Sequence, residues 1–323
     1  MKMDILSIYS KLISESLLSF YPIFVKKINL PIDIQLWIRL ITYVMVSLFF
    51  INYSWVSNNI FTPESIGLSL VNIIHIYSSY EGFMNLDSGV AFSIFNIYPI
   101  LILLFSGIAW KTEYFYAIIG LVFFILSNFI NKNTDTDLNN FVYGFGMIII
   151  AAITEAVIYF MIKNIPSDNS WNHLFIAYFF GSILMSLYLF KDLIFDNNKT
   201  NNKTNNKTNN KTNNKTNNKT NNKTNNKTNN KTNNKINNLD NGFKIENIGV
   251  IGLALLVNGI IGSIGYWLRF YSVYRLEPGI YSILSYFGIL MAYIYGIIFN
   301  GETLDLFKII GTLFIVLSNY LIV

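Results

Sequence analysis

The most constraining feature of the chain is a succession of long runs almost free of charge. Ten of them reach or approach the ~17–25 apolar residues that a helix needs to cross a hydrocarbon core. They are 5–25, 34–51, 64–82, 89–109, 113–130, 141–162, 172–190, 247–272, 279–299 and 304–322. A bilayer offers no water to backbone groups, so each run must close its own hydrogen bonds as a helix. Composition agrees, because 13% of the residues are charged against about 25% in soluble domains. The expectation is an all-α polytopic membrane protein with ten transmembrane helices, multi-pass and bathed in a lipid bilayer. Lys11 and Glu15 interrupt the first run and no small-residue cleavage site follows, so it reads as a first span and not a cleaved signal. Thr62-Pro63-Glu64 and Glu277-Pro278 supply helix-start chemistry between runs.

The formal net charge of +5 suggests a basic surface, but ten of the 23 basic residues are lysines spaced four apart from Lys199 to Lys235. Setting those ten aside turns +5 into a net −5, so no nucleic-acid-binding face is implied. Residues 197–238 are essentially Asn-Asn-Lys-Thr repeated and are expected to be disordered, since they hold too little apolar surface to offset ordering entropy. The tract carries nine Asn-Lys-Thr sequons, from Asn198 to Asn230, and reads as repeat expansion, with a tether or glycan stalk as the other reading. The chain has no cysteine, which removes disulfides, thiolate metal sites and a cysteine nucleophile.

One phrase is written twice. IIGLVFFILSNFI at 118–130 aligns with the run starting IIGTLFIVLSNYL at 309, with identity at seven of thirteen positions, among them Gly120/Gly311, Phe123/Phe314, Ser127/Ser318 and Asn128/Asn319. Upstream, Leu86-Asp87-Ser88-Gly89 parallels Leu276-Glu277-Pro278-Gly279, and the two pairs of anchors keep register to within one residue. A duplicated unit of five spans follows. An odd number of crossings ends on the opposite side of the membrane, so the second copy is expected to be inverted relative to the first. Such inverted repeats are a recurring transporter construction with substrate near the midplane. The boundaries read as a first repeat at 1–130, the opening spans of the second at 131–190, the low-complexity loop at 191–244, and the closing three spans at 245–323.

The run LEPGIYSILSYFGILMAYIYGIIFNGETLDLFKIIGTLFIVLSNYLI and its partner DSGVAFSIFNIYPILILLFSGIAWKTEYFYAIIG resemble the drug/metabolite transporter superfamily, in particular its EamA-like and nucleotide-sugar/triose-phosphate carrier branches. Gly301-Glu302 and Gly311 fit the family's Gly-Glu dipeptide before a glycine-containing tenth span, whereas Lys111 holds the corresponding glutamate position in the first half. The resemblance implies a ten-span carrier with both termini cytosolic.

Ionisable groups within spans normally face the bundle interior or a wet cavity. Lys11 and Glu15, i and i+4, form a polar stripe on span 1 together with Ser7, Ser10 and Ser14. Glu155 is the counterpart of Glu15 in span 6, and two carboxylates near the midplane suit a cationic group or a proton. His75 in span 3 is a relay or hydrogen-bonding candidate, with interhelical packing as the plainer role. Asn96, Tyr98 and Pro99 in span 4, and Asn258 in span 8, mark places where a helix can open or be cross-linked. Arg39 and Arg269 lie toward the ends of their runs and read as interfacial anchors that snorkel, with Arg269 also able to reach an anionic substrate. The Ser-Asn pairs of the repeated phrase read as packing groups.

No metal or cofactor is implied. The two histidines, His75 and His173, belong to no His-Glu-x-x-His pattern, and neither Gly-x-x-x-x-Gly-Lys nor Gly-x-Ser-x-Gly occurs. The functional expectation is a non-enzymatic secondary transporter moving a small polar metabolite by alternating access, by proton coupling or exchange. The other expectation is a non-transporting scaffold or receptor that keeps the fold, for which Lys111 is the sequence support.

Overall fold

A computed structural model describes residues 5–86, 88–130, 138–195, 248–301 and 305–322. The Asn/Lys/Thr tract, Asp87 and Glu302 lie outside these residues. Every regular element among the described residues is helical. In chain order they are α1 Ile5–Leu18, α2 Tyr21–Lys27, α3 Ile32–Ser47, α4 Tyr53–Asn59, α5 Pro63–Asn85, α6 Ser88–Phe95, α7 Tyr98–Phe105, α8 Thr112–Ile130, α9 Leu138–Asn164 and α10 Ser170–Phe195. After the tract come α11 Ile248–Val257, a π-helical turn Asn258–Gly262, α12 Ser263–Arg275, α13 Pro278–Ser285, α14 Phe287–Asn300 and α15 Leu306–Ile322.

Among the described residues, four continuous helical stretches are long and apolar enough to cross a membrane: Asn139–Asn164, Ser170–Lys191, Ile248–Arg275 and Pro278–Phe299. Ala91–Phe105, Thr112–Ser127 and Leu306–Leu321 are shorter apolar helices. The first apolar run is divided between α1 and α2 near Pro22, and the fourth between α6 and α7 just before Pro99. Proline has no N–H to give to the preceding turn, so each continuous run becomes two short helices. The α5 helix is diluted for another reason: Ser65, Ser69, Asn72, His75, Ser78 and Ser79 are all turned inward. Its start follows the sequence, with the Thr62 side chain accepting from Ser65 N–H. Glu277, by contrast, precedes Pro278 without a side-chain cap bond.

The bundle is polar at its centre and apolar outside. Leu6, Phe49, Phe61, Leu256, Leu313 and Tyr320 are well exposed, whereas Lys11, Glu15, Arg39, Glu155 and Arg269 are each at most 3% exposed. The helices that pack most extensively are α5 with α9, α8 with α15, α1 with α12, and α3 with α10.

The twice-written phrase packs against itself. The rings of Phe123 and Phe314, equivalent positions of the two copies, stack 5.9 Å apart. A side chain on Gly120 would lie 2.9 Å from the carbonyl oxygen of its counterpart Gly311. Ser127 Oγ donates to Asp305, and Ser318 Oγ donates to the Glu113 carbonyl at 2.7 Å. Small and hydroxyl residues allow close helix contact where no hydrophobic force is available from lipid, and these serines are packing groups as their sequence position suggests.

Candidate functional site

The charged side chains converge because short helices aim them at one point. Turns three and four residues apart share a helix face, so α1 presents Lys11 and Glu15 together, with Lys11 Nζ 2.5 Å from Glu15 Oε1. The α12 helix is drawn against α1 by Ser14 Oγ donating to the Gly265 carbonyl and Ser272 Oγ to the Ser7 carbonyl. That contact delivers Arg269 from α12 to Glu15, with Nη2 3.0 Å from Oε1. Its other arm, Nη1, lies 2.6 Å from Oε1 of Glu155 on α9. One guanidinium therefore bridges two carboxylates that are 140 residues apart in sequence. The planar fork of arginine suits this, since its two Nη groups can serve different acceptors at once.

Three further groups close the cluster. Tyr98 on α7 lies 3.4 Å from both Glu15 Oε1 and Lys11 Nζ. The ring of Tyr281 on α13 sits 3.6 Å from Lys11 Nζ, a cation–π contact strengthened by the burial of both groups. His75 on α5 places Nε2 3.3 Å from Glu155 Oε2. Its Nδ1 faces the Ala151 carbonyl at 3.0 Å and must donate there, because a carbonyl only accepts. In a neutral ring Nε2 then carries a lone pair directed toward a carboxylate, which leaves room for one proton between them.

Polar capacity is left over. Glu15 Oε2, Glu155 Oε2 and Arg269 Nε have no hydrogen-bond partner among the described residues. The 3.3 Å approach of His75 to Glu155 is thus an electrostatic contact and not an aligned hydrogen bond. A side chain on Gly288 would come within 2.7 Å of Glu15 Oε2, so the glycine keeps the space beside that oxygen open. Buried ions cost on the order of several kcal/mol each to desolvate. A cluster of this kind is therefore an expensive feature that packing alone does not require.

Six of the eight residues singled out from the sequence meet here: Lys11, Glu15, His75, Tyr98, Glu155 and Arg269. Asn96 does not join them; its Nδ2 donates to the Phe92 carbonyl one turn earlier. Asn258 belongs to a different group, in which its Oδ1 accepts from Tyr21 Oη at 2.8 Å. The anchoring role expected for Arg39 and Arg269 is corrected. The α3 helix begins at Ile32, earlier than the apolar run, which moves Arg39 to mid-helix, and α1 covers Arg269, so neither guanidinium reaches the outer surface. Arg39 instead sits among the rings of Tyr21, Tyr266, Tyr43 and Tyr80, 4.7–5.5 Å from their centroids. Sequence reasoning missed these tyrosines. The signal was present, since the chain has 21 tyrosines and several fall within apolar runs. Ser69, which follows Gly67-Leu68, accepts from the Gly181 N–H and serves helix packing. A groove of about 690 Å³, lined by Asp33, Tyr77, Glu81 and Tyr188 among others, contains none of the cluster residues and opens on the outside of the bundle. Buried charge, and not that outer groove, locates the site.

The model of the EamA-like transporter family matches residues 235–323. A solved crystal structure superposes on the chain with a TM-score of 0.59, covering 97% of this chain and 94% of that one at 13% sequence identity, a likeness of fold alone. No curated protein matches the chain in sequence. Over those closing residues the match supports a likeness to the drug/metabolite transporter superfamily, and with its membrane-length apolar helices the chain is an integral membrane protein.

Proposed function

We propose that the chain is a secondary transporter that moves a small polar metabolite by alternating access, without enzymatic chemistry. The observation that carries this reading is the Glu15–Arg269–Glu155 bridge, sealed from solvent yet holding spare oxygens on both carboxylates. A bridge between helices from different parts of the chain resists their separation, and a ligand that takes over one of its bonds lowers that resistance. Differential binding of this kind is what shifts a two-state equilibrium. The His75–Glu155 contact is the place where a proton would be taken up if transport is proton-coupled.

The same reading treats residues 1–130 as one five-helix repeat, and 131–190 with 245–323 as its inverted copy, joined through the 191–244 loop. Several contacts support it. If the first span corresponds to the sixth and the third to the eighth, the α5–α9 packing has α1–α12 as its mate. The helix breaks also correspond: α6 and α7 part at Asn96, and α13 and α14 part at Tyr286, seven residues after Gly89 and Gly279 respectively. A lipid bilayer and a small-molecule substrate are the partners in this picture. A scaffold that has lost its pathway would have these carboxylates point apart or be capped, and Arg269 caps both, so uptake itself separates the two readings.

Glu15→Gln and Glu155→Gln, reconstituted separately, are expected to lose transport while eluting as folded, lipid-inserted protein. Uptake into proteoliposomes over a metabolite panel, with and without a pH gradient, reads this. Wild-type uptake in both variants would remove the bridge from the transport pathway.

A further inference from the structure

The buried core carries more positive than negative charge. Among the described residues its ions are Lys11, Arg39 and Arg269 against Glu15 and Glu155, which leaves one positive charge when His75 is neutral. A proton on His75 or Glu155 only enlarges the excess. Both carboxylates are already engaged by Lys11 and Arg269. The unmatched ion is Arg39, to which no carboxylate is paired among the described residues.

Its surroundings are arranged for polar contact. Nη2 lies 3.4 Å from Tyr178 Oη and Nη1 3.5 Å from Tyr80 Oη, both at the long limit of hydrogen bonding, and Nε has no hydrogen-bond partner among the described residues. Tyr43 Oη and Tyr21 Oη are linked at 2.7 Å, and Tyr21 passes its proton to Asn258 Oδ1, so Tyr43 donates to Tyr21. Asn258 opens the π-helical turn 258–262, a local irregularity often found at functional sites. A side chain at Gly262, which closes that turn, would fall 2.1 Å from both tyrosine hydroxyls. Ring faces partly compensate a guanidinium, but they leave its N–H groups short of strong acceptors. A carboxylate or phosphate oxygen pair is the group that matches that planar fork. Tyr266 touches Arg39 at 4.9 Å and Arg269 at 5.3 Å from its ring centre, so this cage adjoins the bridged carboxylates.

We propose that Arg39, within its tyrosine cage, is the subsite for an oxyanion group of the transported molecule, a carboxylate or a phosphate ester. This rests on the transporter reading above. An anion there neutralises the excess charge of the core, and it replaces the cation–π contacts that hold the cage closed.

The test uses the full chain purified in detergent and reconstituted in liposomes. Lactate, inorganic phosphate and glycerol phosphate are compared with uncharged glycerol and cationic choline as probes of thermal unfolding. At least one oxyanion is expected to raise the unfolding midpoint of the wild type, and the carboxylate and phosphate arms separate the two sources. Arg39→Gln is expected to abolish the shift, and Arg39→Lys, which keeps the charge and serves if the glutamine variant misfolds, to weaken the oxyanion at least tenfold. Equal oxyanion shifts in wild type and Arg39→Lys would overturn the subsite, as would a wild type that responds to none of the three oxyanions. Transport of any solute at wild-type rate by folded Arg39→Gln also overturns it but leaves the transporter reading standing. Oxyanion binding through Arg39 with no flux in liposomes does the reverse.

Discussion

Arg269→Gln is expected to be the most damaging single substitution in the chain. It removes the one group that holds Glu15 and Glu155 together, and both remain buried. Removing one partner of a buried ion pair leaves an uncompensated charge, at a cost of about 3–5 kcal/mol. Lys11 still neutralises Glu15, so most of the loss should fall on Glu155, whose remaining neighbour is His75. Thermal unfolding in detergent reads the effect as a lowered midpoint. Arg269→Lys should recover part of it, since a single ammonium cannot reach both carboxylates as Nη1 and Nη2 do. Adding Glu155→Gln to Arg269→Gln should restore most of the midpoint, because Lys11 and Glu15 stay paired and no unpaired carboxylate is then left at the bridge. An unchanged midpoint in Arg269→Gln alone would show that the bridge adds nothing to cohesion. Transport should be lost in every one of these variants, including the restored one, which separates stability from function.

Gly120→Leu should separate α8 from α15. Even a Cβ at this position meets the Gly311 carbonyl oxygen at 2.9 Å and Ile315 Cγ1 at 2.7 Å. The Ile315 side chain can rotate away, but the Gly311 carbonyl belongs to a helix backbone and cannot. Overpacking of a tight contact typically costs about 1–3 kcal/mol. The separation would also part the Phe123–Phe314 stack and stretch the bond from Ser318 to the Glu113 carbonyl. Gly120→Ala should show the same direction with a smaller loss. The measurement is again the unfolding midpoint, with Gly107→Ala as a comparison at a glycine that meets nothing within 4 Å but has a positive φ of 63°. If Gly120→Leu unfolds at the wild-type temperature, the two copies of the phrase do not form a tight contact.

Much of this protein could be read without coordinates, for a specific reason. In a bilayer the period and length of apolar runs decide helix formation almost alone, so the helical class, and the positions of the runs, were legible. The repeated phrase was legible as well, because glycine and serine at matched positions are informative in an alphabet of Ile, Leu and Phe. Helix continuity was harder. Pro22 and Pro99 announce breaks, but the break at Tyr286 has no proline, and its tight turn accompanies Ser285 Oγ bonding back to the Tyr281 carbonyl. A hydroxyl bonded back to the carbonyl four residues earlier slightly weakens and bends a helix.

Residue type and depth in an apolar run were enough to single out Lys11, Glu15, His75 and Glu155, since an ion that stays within such a run must find a partner inside the bundle. They could not assign the partners. Lys11 and Glu15 are one helical turn apart, and their pairing follows from the i,i+4 spacing. Arg269 reaches Glu15 and Glu155 only because α12 crosses α1 close to α9. Arg39 was read as an anchor because distance along a run says nothing about which way a helix face points. Sequence alone thus determined that the chain is helical, apolar along its runs and carries one phrase twice, because those properties are written in local pattern. Which charges meet, and that Arg39 is left among tyrosines without a carboxylate, was decided by helix crossings between residues far apart in the chain, and only the tertiary structure contains them.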